Sequence, residues 1–567
     1  ILHCDHKSPR VLVNSRGCVH IDMALPQGIE LSRQKVIAHV DLDCFYVQVE
    51  AQRNKALQGL PLAVVQYDPY SSLRDLDANA NRLKGQDEKV GNSIIALSYE
   101  AKACGVTRTM SGVKARTLCK DLRLIQVPVA HGKADLTIYR EAGDKVAKIL
   151  ARQALCEKAS IDEVYLDVTE EASRRLSLTP SGPPPRPGSL QGVHLMCPAH
   201  ANGDPVNAAT EWWSRSGEWC EHERLLAAGA SVVWELRKQV LDELGYTTSA
   251  GVSHYKLLAK LGSGLHKPAQ QTVVPAAAVM DLLRDLPLAK LRGCGGLFGQ
   301  EVQEKLGITT AGELAAVPLA RLERLWGTEK AVWLQRLAHG VDSVDGSSGI
   351  TPRMQPKSIS CGKTFRGQNS LSSANLNAIR FWLGELGKEV EERAEEDKRT
   401  NRRIPQLLTV AFDFCLEEER DRVSRSCPLR RGCQAAVIAD DAMALIKKWA
   451  ADKAPRWSIH SMSIQVSNFQ DAPPAAASIT RFFSAAQAPC PAAAAAAAAA
   501  QAASPAATSA EAASPAAAAS ISRFFSAAQQ PVSSSSGSTI PCVPEQASHA
   551  QKTEGAPSGA FFHKAHP

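Results

Sequence analysis

Nowhere in its 567 residues does this chain hold an apolar run near the ~20 residues that a membrane-spanning helix requires. No membrane partner is therefore expected. No secretory h-region precedes the first domain, and position 1 is Ile, so the natural start is expected to lie upstream. Neither charge sign dominates: 65 basic and 58 acidic residues leave +7. This mild basicity is compatible with nucleic acid but does not single it out. The 15 Cys residues lack the spacing of a zinc site. Cys4-Asp5-His6 and Cys18-Val19-His20 bring their two ligand types closer in sequence than the usual gap allows. Residues 1–33 thus read as an irregular N-terminal arm, and the cysteines as free thiols of a reducing compartment. Length is consistent with roughly three to five domains.

The chain does hold carboxylates at the ends of apolar strands. Val36-Ile37-Ala38-His39-Val40 runs into Asp41-Leu42-Asp43, and Ser160-Ile161-Asp162-Glu163 runs into Val164-Tyr165-Leu166-Asp167-Val168. Acids so placed are costly unless something positive neutralises them. Mg²⁺ suits the position, because it prefers a few carboxylates together with phosphate oxygens. Two neighbouring strands would gather Asp41, Asp162 and Glu163 into one spot able to hold metal-bound triphosphate. The bland alternative is an Asp-x-Asp turn and a solvated Asp-Glu pair; the flanking hydrophobic runs favour metal. Asp41 and Asp162 would bridge two ions, Glu163 would stand on the attacking side, and Leu42 would offer only its backbone carbonyl.

Strand patterns at 36–40, 62–67 and 93–98 alternate with helical ones at 44–50, 99–106, 111–120 and 134–155, and the polar stretch 68–92 reads as a solvent loop. The Pro-, Gly- and Ser-rich stretch 172–210 reads as a loop insertion. A helix at about 224–244 precedes a core strand at 248–253, and short helices with Gly-rich turns fill 269–340. Between 356 and 468 the order is strand, helix, strand, helix, strand (357–365, 373–398, 406–415, 437–449, 459–468), a separate small α+β domain. Residues 471–567 turn to Ala, Ser and Pro and read as a disordered tail. The tail repeats Ala-Ser-Ile-Thr-Arg-Phe-Phe-Ser-Ala-Ala-Gln (477–487) as Ala-Ser-Ile-Ser-Arg-Phe-Phe-Ser-Ala-Ala-Gln (519–529), with the character of docking peptides.

A triphosphate also needs cations. Lys102 and Arg108 lie in Tyr99-Glu100-Ala101-Lys102-Ala103-Cys104-Gly105-Val106-Thr107-Arg108, and Lys256, Lys260 and Lys267 follow later. Lys256 and Lys260, four apart, equally fit a solvated helix stripe. Leu291-Arg292-Gly293-Cys294-Gly295-Gly296 has the form of a helix-hairpin-helix turn, where glycine lets backbone N–H groups approach a phosphate. A plain helix connection reads the same way. Arg422, Arg425, Arg430 and Arg431 flank a strand-rich region and suit a duplex backbone.

Val40-Asp41-Leu42-Asp43-Cys44-Phe45-Tyr46-Val47-Gln48-Val49-Glu50, Ala159-Ser160-Ile161-Asp162-Glu163, and Ser249-Ala250-Gly251-Val252-Ser253-His254 through Leu265-His266-Lys267-Pro268 together resemble the Y-family translesion DNA polymerases. The resemblance covers roughly 34–468. It implies an α/β multidomain right hand: an α+β palm (34–46 and 125–268), small fingers (47–124), a helical thumb (269–345), an α+β little finger (351–468) and a disordered C-terminal tail. It implies a nuclear, Mg²⁺-dependent enzyme, with two ions and Mn²⁺ as substitute, acting on primer-template DNA and deoxynucleotides without proofreading.

By position, Asp41, Asp162, Glu163 and the Leu42 carbonyl match the family's metal ligands. Tyr46 matches the steric gate, where eta-type members are expected to have Phe. Tyr99, Lys260 and Lys267 match triphosphate contacts, and Lys102 stands where an Arg is typical. Gln66 and Arg108 match finger residues over the base pair and favour the eta branch over kappa- or iota-like ones. That branch implies insertion opposite linked pyrimidines. The other class of reading is a non-catalytic scaffold at the sliding clamp. Ile479 with Phe482-Phe483, and Ile521 with Phe524-Phe525, align with the clamp-binding box from its fourth position, with Ala476 and Ala518 for the leading Gln. The same peptides, and Phe561-Phe562, also fit an anchor for the family's scaffold polymerase, and two such sites on one tail gain by avidity. No Cys/His set for a ubiquitin-binding zinc finger is evident.

Overall fold

The computed structural model describes residues 10–13, 19–22, 35–67, 93–197, 207–215, 219–342, 349–365, 369–416, 419–451, 453 and 456–472. The expected loop 68–92 and the tail peptides with Ile479, Phe482, Phe483, Ile521, Phe524 and Phe525 lie outside these residues.

A six-stranded mixed sheet organises the first half. Its order is Val193–Leu195, Gln271–Val273, Thr248–Ser253, Ile37–Leu42, Glu163–Asp167, Leu155–Lys158. Strand alternation divides its central strands into two faces. Ala38, Val40, Leu42, Val164, Leu166, Ala250 and Val252 belong to one core with the buried stripes of helices Thr137–Leu150 and Glu221–Leu244. His39, Asp41, Glu163, Tyr165 and Gly251 take the opposite parity. On that face the helix Lys256–Leu265 lies so close that a Cβ at Gly251 would stand 2.0 Å from the Ala259 carbonyl oxygen. Glycine is required there by contact.

A three-stranded sheet (Ile94–Leu97, Leu62–Val65, Arg123–Gln126) carries helices Tyr99–Ala103 and Gly112–Leu118 around its own small core. Helices between Val279 and Ala338 enclose a third core. Another sheet orders Ser358–Thr364, Trp457–Asp471, Arg403–Leu416 and Glu419–Pro428, with Leu371–Ser372 added, under helices Leu376–Asn401 and Ala435–Ala450.

Three expectations are corrected. Residues 172–210 are not simply a loop: helix Thr169–Ser177 continues into them, Val193–Leu195 pairs in parallel with Gln271–Val273, and a helix begins at Ala208. Three residues are too few to show an alternating pattern, so only the partner strand reveals this one. The N-terminal arm, expected to be irregular, contains an antiparallel pair, Arg10–Val13 with Val19–Asp22. The helix expected at 134–155 ends at Leu150, and Leu155–Lys158 becomes the sheet's edge strand.

Candidate active site

Asp41 and Glu163 are direct cross-strand partners, because the antiparallel register sets Ile37–Leu42 against Glu163–Asp167 with Asp41 opposite Glu163. Asp162 lies one residue before that strand, on a turn organised by Ser160. The Ser160 hydroxyl bonds to Asp162 Oδ1 at 2.5 Å and accepts the backbone N–H groups of Asp162 (3.2 Å) and Glu163 (3.1 Å). The turn is stitched to the neighbouring strand by the Leu42 N–H, which donates to the Asp162 carbonyl at 3.0 Å. From behind, Gly143 presses on it: a Cβ there would lie 2.1 Å from the Ile161 carbonyl oxygen.

Lysines answer the acids. Lys267 pairs with Asp41, and Lys260 Nζ lies 2.8 Å from Glu163 Oε2. Buried His39 adjoins Lys260, with Nε2 3.5 Å from its ammonium and 3.6 Å from Glu163, and Nδ1 2.7 Å from the Ser263 hydroxyl. The two acids are driven apart. The His39 contact, with Lys260, outweighs burial and holds Glu163 down at about 2. Burial outweighs Lys267 at Asp41 and pushes it up to about 6. Burial likewise lowers His39.

Asp43 takes no part in this cluster. It is buried, accepting the Ser249 hydroxyl at 2.7 Å and the Ala269 N–H at 2.8 Å. Lys256 is also withdrawn from any triphosphate: it is buried, 2.8 Å from Glu157 and 3.1 Å from the Gly349 carbonyl, over the Tyr165 ring. A solvated stripe fails equally as an account of it.

A cleft of about 470 Å³ opens beside the acids. Asp41, Leu42, Tyr46 and Asp162 line it from the large sheet, and Gln66, Lys102 and Arg108 from the three-stranded one. Tyr99 is not among the lining residues; its ring lies 4.4 Å under the Lys102 ammonium, and burial raises its phenol above the usual range. The structure thus brings together residues spread over more than 200 positions.

Among the described residues no three acid, His or Cys side chains form a ready metal cage. The donor set nevertheless fits Mg²⁺. Magnesium is usually held by one or two carboxylates plus substrate phosphates rather than by an all-protein cage. The positions of Lys260 and Lys267 show where positive charge is needed.

Two other surfaces carry the remaining expected residues. Gly293, Gly295 and Gly296 form the turn before helix Leu297–Leu306; Gly293 has φ +89° and Gly296 caps the helix. On the last sheet, register divides the arginines. Arg422 lies opposite Asp413 on the uncovered face, which is built of Ser, Thr and Gln such as Ser461, Ser463, Thr409 and Gln465. Arg425 lies opposite fully buried Val410, on the helix-covered side. Arg430 follows in the next turn, and Arg431 is tied to Asp441. Exposed Arg420 shares the face of Arg422 and was not singled out from sequence, because the strand Glu419–Pro428 has almost no apolar alternation. Arg422→Ala is expected to weaken duplex binding and lower the slope of log K against log salt by about 1. Arg425→Ala should change that slope by less than half as much in the same titration.

Comparison with known proteins bears on this geometry. Residues 40–264 match the impB/mucB/samB family, 286–341 the HhH motif of DNA polymerase eta and Rev1, and 356–479 the C-terminal domain of the impB/mucB/samB family. The chain belongs to the Y family of DNA polymerases. Its Y-family relatives include DNA polymerase eta of Arabidopsis thaliana, 39% identical over 80% of this chain and 66% of the relative. DNA polymerase eta of Drosophila melanogaster is 35% identical over 71% of this chain and 45% of the relative. DNA polymerase iota of Mus musculus is 30% identical over 70% of this chain and 48% of the relative. The chain therefore spans about two thirds of the first relative and about half of the other two. The Y-family matches embrace every described residue of the acid cluster and its cleft except His39 and Lys267.

Proposed function

We propose that this chain is a template-directed translesion DNA polymerase of the eta branch. It would add deoxynucleotides opposite damaged bases, UV-linked pyrimidines among them, without proofreading. The observation that carries the reading is the Asp41–Glu163 register, with Asp162 beside it and Gln66 and Arg108 in the same cleft. The large sheet and its helices serve as palm, the three-stranded unit as fingers, the helices of 269–345 as thumb, and the last sheet as little finger.

Asp41, Asp162, Glu163 and the Leu42 carbonyl would hold two Mg²⁺, with Mn²⁺ as substitute. Bound there, two ions would supply the positive charge that makes the primer 3′-hydroxyl more acidic and offsets the charge on the departing pyrophosphate. The protein's own side chains do the rest. Lys260 and Lys267 release the acids and, with Tyr99 and Lys102, take the triphosphate oxygens. Tyr46 occupies the space a ribose 2′-hydroxyl needs. Gln66 and Arg108 reach over the base pair from the fingers, where hydrogen bonding tolerates a distorted template. Glycine-rich backbone at 293–296 and the uncovered little-finger face follow the duplex without reading its sequence.

Nuclear location, and tail peptides that engage the sliding clamp, the scaffold polymerase or both, belong to the same proposal. The test is primer extension on undamaged and thymine-dimer templates with Mg²⁺. Extension on both is expected. Failure on both overturns the polymerase reading, whereas a stall confined to the dimer favours a kappa- or iota-like enzyme.

A further inference from the structure

Tyr46 is offered above as a barrier to ribose, but an aromatic barrier on one χ1 bond excludes nothing unless its ring is held. The side chain that holds it lies outside the cleft. Tyr139, on helix Thr137–Leu150, stacks on Tyr46 with ring centroids 4.1 Å apart and planes at 18°. Tyr139 is fully buried and does not line the cleft. Its hydroxyl donates to Glu50 Oε1 at 2.6 Å, and Glu50 is itself buried. Glu50 follows Tyr46 by four residues on helix Phe45–Arg53, so it lies one turn along the same helix face. The three side chains close a circuit: gate, backing ring, and an anchor that returns to the gate's own helix. Phe45 packs the gate from another direction, at 5.8 Å and 58°.

We infer that Tyr139 is a positioning residue for sugar discrimination: its ring face fixes the Tyr46 ring in the excluding orientation. The inference rests on the polymerase reading above. A flat backing face permits offset stacking, which adds to simple burial and resists rotation of the ring it supports. A flexible side chain of similar volume fills the space without that resistance.

The test compares kcat/KM for a ribonucleoside triphosphate with that for the matching deoxynucleotide on an undamaged primer-template. In Tyr139→Met and Tyr139→Leu, which remove the flat face in different shapes, the deoxy-over-ribo ratio is expected to fall at least tenfold. Deoxynucleotide kcat should stay within about threefold of the parent. Tyr139→Phe keeps the face and is expected to keep the ratio within twofold. In a Tyr46→Ala background the ratio is already lost, and Tyr139→Met is expected to change it no further.

A parental ratio in whichever of the Met and Leu variants folds would overturn the inference. So would a Phe variant as relaxed as the Met one. A purely structural Tyr139 would lower the melting temperature and leave the ratio untouched. A parent enzyme that adds neither nucleotide would instead refute the polymerase reading itself.

Discussion

Asp41→Asn is expected to reduce primer extension by roughly 10³-fold or more, while leaving the metal-free protein more stable than its parent at pH 7. The catalytic loss follows from removing a charged carboxylate from the place where the proposed ions would bind. The gain in stability follows from what burial does to this acid. Asp41 is raised from 3.8 to about 6, despite Lys267 beside it. Its charged form is therefore disfavoured by folding. Between about pH 4 and 6 the folded protein binds more protons at this position than the unfolded chain, so stability falls as pH rises through that window. Above it the penalty is fully present, on the order of 1–3 kcal/mol. Asn, nearly the same shape, carries no such penalty. Melting curves from pH 4 to 7.5 without metal should show the variant and parent diverging as pH rises. Mg²⁺ should raise the parent's melting temperature by more than the variant's. A variant that melts below the parent at pH 7 would show that the Lys267 pair, not desolvation, dominates at this acid.

Gly143→Ala is expected to cost about 10²-fold in extension, although Gly143 touches no substrate. The new methyl would stand 2.1 Å from the Ile161 carbonyl oxygen, and that oxygen is backbone, which cannot rotate aside. Either the helix Thr137–Leu150 withdraws or the turn carrying Asp162 and Glu163 is displaced. Over-packing of this kind costs about 1–3 kcal/mol in stability. Gly384→Ala is the control. Gly384 lies within helix Leu376–Asn401 with open space around its Cα, so alanine there should add about 0.5–1 kcal/mol and leave activity unchanged. Activity of the Gly143 variant within threefold of the parent would mean that the turn is not rigidly set by this contact. The comparison separates a glycine needed for close approach from one that merely tolerates a helix.

The clustering of acids was legible because its signal is local. Carboxylates at the ends of apolar runs are expensive, and strand alternation places Asp41 on the face opposite Val40 and Leu42 wherever the strand goes. The edge strand Glu419–Pro428 of the last sheet was poorly legible for the converse reason: one edge of it is exposed and it carries little apolar pattern. Val193–Leu195 was invisible as a strand because three residues have no periodicity to detect. Two signals pointed the wrong way. Lys256 was offered as a phosphate cation and is instead buried against Glu157, a partner 99 positions away. Arg425 was grouped with Arg422, but their odd separation of three puts them on opposite faces of a strand.

His39, Gly143 and Tyr139 escaped the sequence reading altogether. In sequence they are a histidine in a hydrophobic run, a glycine within a helix, and an aromatic on an amphipathic stripe. Each of those has a sufficient bland explanation. Their importance lies in distances to Glu163, to the Ile161 carbonyl and to the Tyr46 ring.

By itself, then, the sequence determined which chemical groups this protein carries, in what order, and, for its strongly patterned segments, on which strands and helices. Those follow from side-chain chemistry and from repeat periods within a few residues. Only the tertiary structure decided that Asp41 meets Glu163 rather than a neighbour, and that Asp43 turns into the interior while Lys260 and Lys267 turn toward the acids. Register and close approach are set by packing among segments one to two hundred residues apart, and such packing leaves no local pattern to read.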